Sequence, residues 1–183
     1  MIIFVVGYMA SGKTTFGRAL AEKLGVNFID LDQYIEESYG AKIPEIFKEK
    51  GEAGFRKLEK EMLHSSVENA GNSVIACGGG TPCYFDNMEF LNNNGITVFL
   101  EASTPVLISR LQAENQSRPL MADKTDDEIQ EKVLTQLCER LPFYMESKLK
   151  WHGDDLETPE EIETNVSNFI STYPSLFRDL GTL

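Results

Sequence analysis

Gly7-Tyr8-Met9-Ala10-Ser11-Gly12-Lys13-Thr14 decides the fold. The stretch fits G-x-x-x-x-G-K-[ST], and its setting matters as much as its letters. It follows directly on the apolar run Ile2 to Val6, and it opens directly into a pattern in which Phe16, Leu20 and Leu24 recur every four residues and stop at Gly25. That order predicts a buried strand, a glycine turn and a helix closed by a glycine cap. Such a turn points successive backbone N–H groups at one spot, and the helix N-terminus adds partial positive charge, so the ligand expected there is a chain of phosphates. Lys13 is placed to reach the β- and γ-phosphates of a nucleotide, and the Thr14 hydroxyl to ligate Mg²⁺. Gly7, Ala10, Ser11, Gly12, Lys13, Thr14 and Thr15 are the expected nucleotide-binding positions.

Further along, Ser73 to Cys77 and Ile96 to Leu100 are short continuous apolar runs, as strands buried on both faces should be, and Asn27 to Leu31 is a weaker one. Helical patterns lie between them. Phe55, Leu58, Met62 and Leu63 form an apolar stripe, and Thr104-Pro105 reads as a helix start. Thr125 to Glu128 and Thr158 to Glu161 read as capping boxes. Strands alternating with helices imply βαβ units and a parallel sheet, hence an α/β fold. The chain reads as one domain over residues 1–172, with 173–183 as a short C-terminal appendage. A polar stretch holding Arg118-Pro119, at about residues 112–124, is either a lid or a solvated connector.

With 183 residues, 42% of them hydrophobic, the chain suffices for one sizeable core. A formal charge of -12 sets its own field against polyanions, so nucleic acid and anionic membrane are excluded as expected partners. An anionic small substrate meets the same repulsion and needs a local cluster of cations. Cys77, Cys83 and Cys138 form no C-x-x-C pair and suit a reducing cytosol, where burial is the ordinary use of a thiol. The apolar start lacks a basic leader, and no apolar run approaches the roughly 20 residues of a membrane span, so a cytoplasmic protein is expected.

The phosphate loop alone leaves kinases, GTPases, motor ATPases and nucleotide-dependent switches open. No N-K-x-D is present, and the chain is small for a motor, which favours a metabolite kinase. Asp30 and Asp32 flank Leu31 at the end of the second strand, where period-two geometry puts both carboxylates on one side. They either cap the helix beginning near Gln33 or serve a ligand, one orienting an acceptor hydroxyl and the other holding metal-bound water. Arg56, with Glu59 at i+3 to hold it, and Arg140, near Tyr144, are surface charges or a pair of forks for a carboxylate. Gly78-Gly79-Gly80 serves either a tight turn or a close backbone approach to a ligand.

In order, the phosphate loop, Asp30-Leu-Asp32, Ile43-Pro-Glu-Ile-Phe47, Gly51 to Glu59 with its Phe55-Arg56, Gly78 to Gly80, Arg118-Pro119-Leu120 and Arg140-x-x-x-Tyr144 resemble the motif series of shikimate kinases. The resemblance runs from Met1 to about Tyr144. It implies a three-layer αβα P-loop fold with a central five-stranded parallel sheet, whose last strand falls near Lys148 to His152 despite the polar residues there. It implies transfer of the ATP γ-phosphoryl group to the 3-hydroxyl of shikimate by a cytoplasmic monomer. Other P-loop metabolite kinases, such as gluconate kinase, and non-catalytic nucleotide-binding regulators are the alternatives. On the resemblance, Lys13, Asp32 and Arg118 are catalytic, Thr14 and Asp30 serve the metal, and Arg110 and Arg118 flank the nucleotide. Asp32, Phe47, Phe55, Arg56, Gly78, Gly79, Gly80 and Arg140 would hold shikimate.

Overall fold

A computed structural model of the chain describes residues 1–68, 70–114 and 125–178. Five strands, β1 (Ile2–Val6), β2 (Asn27–Asp30), β3 (Ser73–Ala76), β4 (Ile96–Glu101) and β5 (Leu149–His152), form one sheet in the order β2-β3-β1-β4-β5. Every pairing is parallel, with Phe4 opposite Ile75 on one side and Thr97 on the other. The helices are α1 (Lys13–Leu24), α2 (Leu31–Tyr39), α3 (Ile43–Glu68), α4 (Asn87–Asn94), α5 (Thr104–Glu114), α6 (Asp126–Tyr144) and α7 (Pro159–Thr172).

The period-two geometry of β1 explains why its sequence shows no alternation. Ile3 and Val5 face one apolar layer with Phe16, Leu20, Val166 and Phe169 of α1 and α7. Phe4 and Val6 face the other, with Ile35, Leu63, Leu91, Leu107 and Val133 from α2 to α6. Both faces are covered, so every position must be apolar. Phe4 is fully buried, and truncating it to Ala is expected to cost about 3–5 kcal/mol. Residues 173–178 also reach the interior: Phe177 is fully buried, its ring centroid 6.1 Å from that of Phe169.

The ends of the helices follow the local chemistry. Gly25 takes the left-handed conformation, φ 64°, and its N–H reaches the Ala21 and Glu22 carbonyls. Thr125 with Glu128 and Thr158 with Glu161 are reciprocal capping boxes. Helix α3 is kinked at Gly51, φ 66° and ψ 176°, so the segment bearing Phe47 meets the segment bearing Phe55 and Arg56 at an angle.

The reading of Asp32 on the second strand is corrected here. Strand β2 ends at Asp30, whose side chain accepts the N–H groups of Asp32 and Gln33 and so starts α2 at Leu31. Asp32 belongs to the first turn of that helix. The capping role weighed for this pair is real for Asp30, and it does not preclude a place in the site.

Candidate active site

Parallel strands lay their C-terminal ends along one edge, and the loops there converge on a crevice. In the loop after β1, Gly7 has φ +148° and Gly12 φ +92°, and a Cβ on either would stand 2.6 Å from Leu100 O or Leu156 Cδ1 respectively. Only glycine fits both places. Lys13, mostly buried, donates from Nζ to the Tyr8 carbonyl at 2.7 Å. Thr14 Oγ1 donates to Asp30 Oδ2 at 2.8 Å. The buried Ser11 hydroxyl has no hydrogen-bond partner among the described residues, as expected of a loop shaped to bind a polar ligand.

Gly12, Lys13, Thr14 and Asp30 line a cleft of about 480 Å³ with Asp32, Gly78, Gly79, Arg110 and Glu157. It runs into a second cleft of about 770 Å³ that holds Phe47, Phe55, Arg56, Glu59, Gly80 and Arg140. Met9, Thr14, Asp30, Asp32, Gly78 and Gly79 border both, so the two form one continuous site.

Arg56 is buried rather than a solvated charge. Its Nη1 donates to Glu59 Oε2 at 2.7 Å, and the other oxygen of Glu59 accepts from Thr81 Oγ1 at 2.7 Å. Phe47 and Phe55 stack at 4.2 Å beside it, and the Tyr84 ring lies 4.2 Å from its Cζ. Its Nε has no partner among the described residues, which leaves an unpaired donor on a group aimed into a cleft. The glycine triplet serves close approach and turn together. A Cβ on Gly80 would meet the Arg56 guanidinium at 2.7–2.9 Å, one on Gly78 would meet Asp32 Oδ1 at 2.8 Å, and Thr81 N–H closes a turn to the Gly78 carbonyl. Arg140 comes from α6 and faces the same cleft over the ring of Tyr8.

Asp32 opens to the cleft yet is crowded by its walls. That desolvation, aided by the neighbouring carboxylates of Asp30 and Glu59 and opposed by Lys13 and Arg56, pushes its pKa up to about 6. It remains mostly ionised at neutral pH, with the basicity that a proton acceptor near that pH requires. Cys77, buried behind it, is raised by desolvation well out of the range in which a thiolate forms.

Arg110 ties the phosphate loop to the segment after β5. It donates to Glu157 Oε1 at 2.6 Å, to the Gly153 and Asp154 carbonyls at 2.9 Å each, and to the Ala10 carbonyl at 3.2 Å. Glu157 and Leu156 were not individually foreseen, because their stretch carries no motif. Tyr8, Tyr84 and Glu52 were missed as well, the first hidden in a variable position of the loop pattern. Arg118 and most of the expected lid lie outside the described residues. His152 is exposed, 3.7 Å from Glu101, and is remote from this chemistry.

A hard divalent cation fits the donors present. Thr14 and Asp30 offer two adjacent hard oxygens. That suits Mg²⁺, which keeps water and ligand phosphates in most of its octahedral positions.

Comparison with known proteins agrees with this geometry. The family model described as shikimate kinase matches residues 9–171. The shikimate kinase of Bacteroides thetaiotaomicron is 49% identical over 164 residues, covering 90% of this chain and 93% of the relative. A crystal structure of the shikimate kinase from that organism superposes with a TM-score of 0.91 at 45% identity, covering 95% of this chain and 98% of the other. The shikimate kinase of Acinetobacter baumannii in complex with shikimate superposes with a TM-score of 0.81 at 33% identity, covering 96% and 93%. With its phosphate loop, its buried Arg56 and its glycine triplet gathered at one sheet edge, this chain belongs to the shikimate kinase family.

Proposed function

We propose that the chain transfers the γ-phosphoryl group of ATP to the 3-hydroxyl of shikimate, giving shikimate 3-phosphate and ADP on the way to chorismate and the aromatic amino acids. One observation carries the reading: a single cleft joins the phosphate loop to a pocket that holds Arg56 and Arg140, and Asp32 stands on their shared border. The likeness to a shikimate kinase with shikimate bound supports the choice of acceptor.

Arg56 and Arg140 supply the cationic cluster that the net charge of -12 demands for an anionic substrate. Planar forks suit a carboxylate, and Phe47 and Phe55 wall the ring. With the carboxylate held, the hydroxyl falls to Asp32, and the backbone of Gly78 to Gly80 borders the same space without side chains. Backbone N–H groups of residues 10–15 and the Lys13 ammonium take the phosphates, with Arg110 beside the nucleotide. As the new P–O bond forms, the hydroxyl proton passes to Asp32, and the electron pair of the breaking bond leaves with ADP. Phosphoryl transfer through a loose transition state depends on alignment and charge neutralisation, so Asp32 orients the hydroxyl as much as it deprotonates it. Thr14 and Asp30 would hold Mg²⁺, which when bound neutralises charge on the β- and γ-phosphates. Arg118 would close over the transferring group and exclude water.

The protein would act in the cytoplasm as a monomer, and among the described residues no helix is long and apolar enough to cross a membrane. A coupled ADP-release assay with Mg·ATP and a panel of acceptors tests the reading. Shikimate-dependent turnover is expected, and folded protein that turns over gluconate instead, or nothing, would overturn it.

A further inference from the structure

Within the phosphate loop the Tyr8 side chain packs into the core and lines neither half of the cleft. Tyr8 is 1% exposed. Its hydroxyl donates to Gln136 Oε1 at 2.9 Å, and its ring centroid lies 5.5 Å from Arg140 Cζ. Gln136 and Arg140 stand four residues apart on α6, hence on one face, and this single aromatic side chain reaches both. Its main-chain carbonyl meanwhile accepts from Lys13 Nζ. Tyr8 therefore touches a phosphate-site cation through its backbone and an acceptor-site cation through its ring.

The ring is a suitable seat for that guanidinium. Arginine loses much rotamer freedom when ordered, and a ring face holds the cation without occupying any of its N–H donors. The donors of Arg140 are then left for a ligand carboxylate. Tyr144, four residues on, is fully buried, and its hydroxyl donates to the Gly79 carbonyl at 2.5 Å. Burial holds the Tyr8 phenol at about 12 despite the opposing pull of Arg140, so the hydroxyl stays a neutral donor to Gln136 at physiological pH.

We propose that Tyr8 is a positioning residue of the acceptor site, its ring seating Arg140 for the substrate carboxylate while its hydroxyl anchors the ring to α6 through Gln136. This rests on the assignment of Arg140 to the acceptor, and the wild-type assay above tests that function separately. Steady-state kinetics of Tyr8→Leu and Tyr8→Met, which lack a ring, are compared with Tyr8→Phe, which keeps it. Removing a desolvated cation–π contact is expected to raise the KM for shikimate about 3- to 30-fold. The KM for ATP and kcat should stay within about twofold, and Tyr8→Phe should restore the shikimate KM to within about threefold of wild type. In an Arg140→Ala background, adding Tyr8→Leu should change kcat/KM for shikimate by no more than about twofold, because the two residues act as a unit. Equal losses toward both substrates, no loss at all, a Phe variant as impaired as Leu, or additive effects with Arg140→Ala would each overturn the proposal. So would failure of both ringless variants to fold, since the ring would then serve the fold alone.

Discussion

Glu59 is 1% exposed, and its two oxygens meet two different donors, Arg56 Nη1 and Thr81 Oγ1, each at 2.7 Å. Glu59→Ala strips both donors of their acceptor and leaves a guanidinium in a buried setting, where breaking an ion pair from one side costs about 3–5 kcal/mol. Glu59→Gln is milder. Its carbonyl still faces Arg56, and its amide nitrogen meets a Thr81 hydroxyl that can rotate to accept, so the loss is mainly that of the ionised acceptor, about 2 kcal/mol. The half-exposed alternative, Glu52, stands 3.7 Å from Arg56 Nη2 and is too solvated to compensate. Urea denaturation of the three proteins gives the stability differences, and kinetics on the Gln variant should show a higher shikimate KM at little changed ATP KM. The Gln variant carries a second signature. Glu59 is one of the carboxylates that raise Asp32, so its neutralisation should move the acid limb of kcat/KM to lower pH. A loss under about 1 kcal/mol in Glu59→Ala would refute the claim that Arg56 depends on this carboxylate, as exposed pairs give that little.

With the Asp32 pKa at about 6 against an ordinary 3.8, kcat/KM for shikimate should fall as pH drops through about 6. The stability contribution runs the other way. Between those two values the folded protein holds a proton that the unfolded chain has lost, so the Asp32 contribution stabilises as pH falls from 6 toward 3.8, as denaturation over that range would show. Gly80→Ala would drive a Cβ into the Arg56 guanidinium, so shikimate affinity measured by calorimetry should weaken about tenfold or more while ADP binding is kept. Arg118→Ala should lower kcat by about 10³-fold, as loss of other phosphoryl-clamping arginines does, and an unchanged single-turnover rate would remove that role.

The sheet was legible because β1 must be apolar at every position, and the phosphate loop because its glycines answer to geometry that no other residue satisfies. The last strand was harder: Leu149–His152 lies at the sheet edge, where Lys150 and His152 point to solvent and Glu101, so its pattern is polar. Arg56 and Arg140 could be named from their motifs, but their surroundings could not, since those depend on Glu59, Tyr84 and Tyr8 arriving from separate elements. Asp32 borders the cleft for a different local reason than the strand period. A strand period was assumed where a capped helix begins, and both routes carry the carboxylate to the same edge. Tyr8 had no sequence signal, because the pattern around it prescribes nothing at that position.

Asp30 divides its carboxylate between two neighbours, Oδ1 toward the main chain that begins α2 and Oδ2 toward the Thr14 hydroxyl. A cation arriving between Thr14 and Asp30 would pull on the same rigid group that anchors the turn carrying Asp32. Loading of the nucleotide half would then be felt, through one planar group a few ångströms across, at Asp32, the residue proposed to meet the acceptor hydroxyl. Asparagine at this position would preserve the helix start and sever the electrostatic half of the link, so the two duties are separable by a single atom.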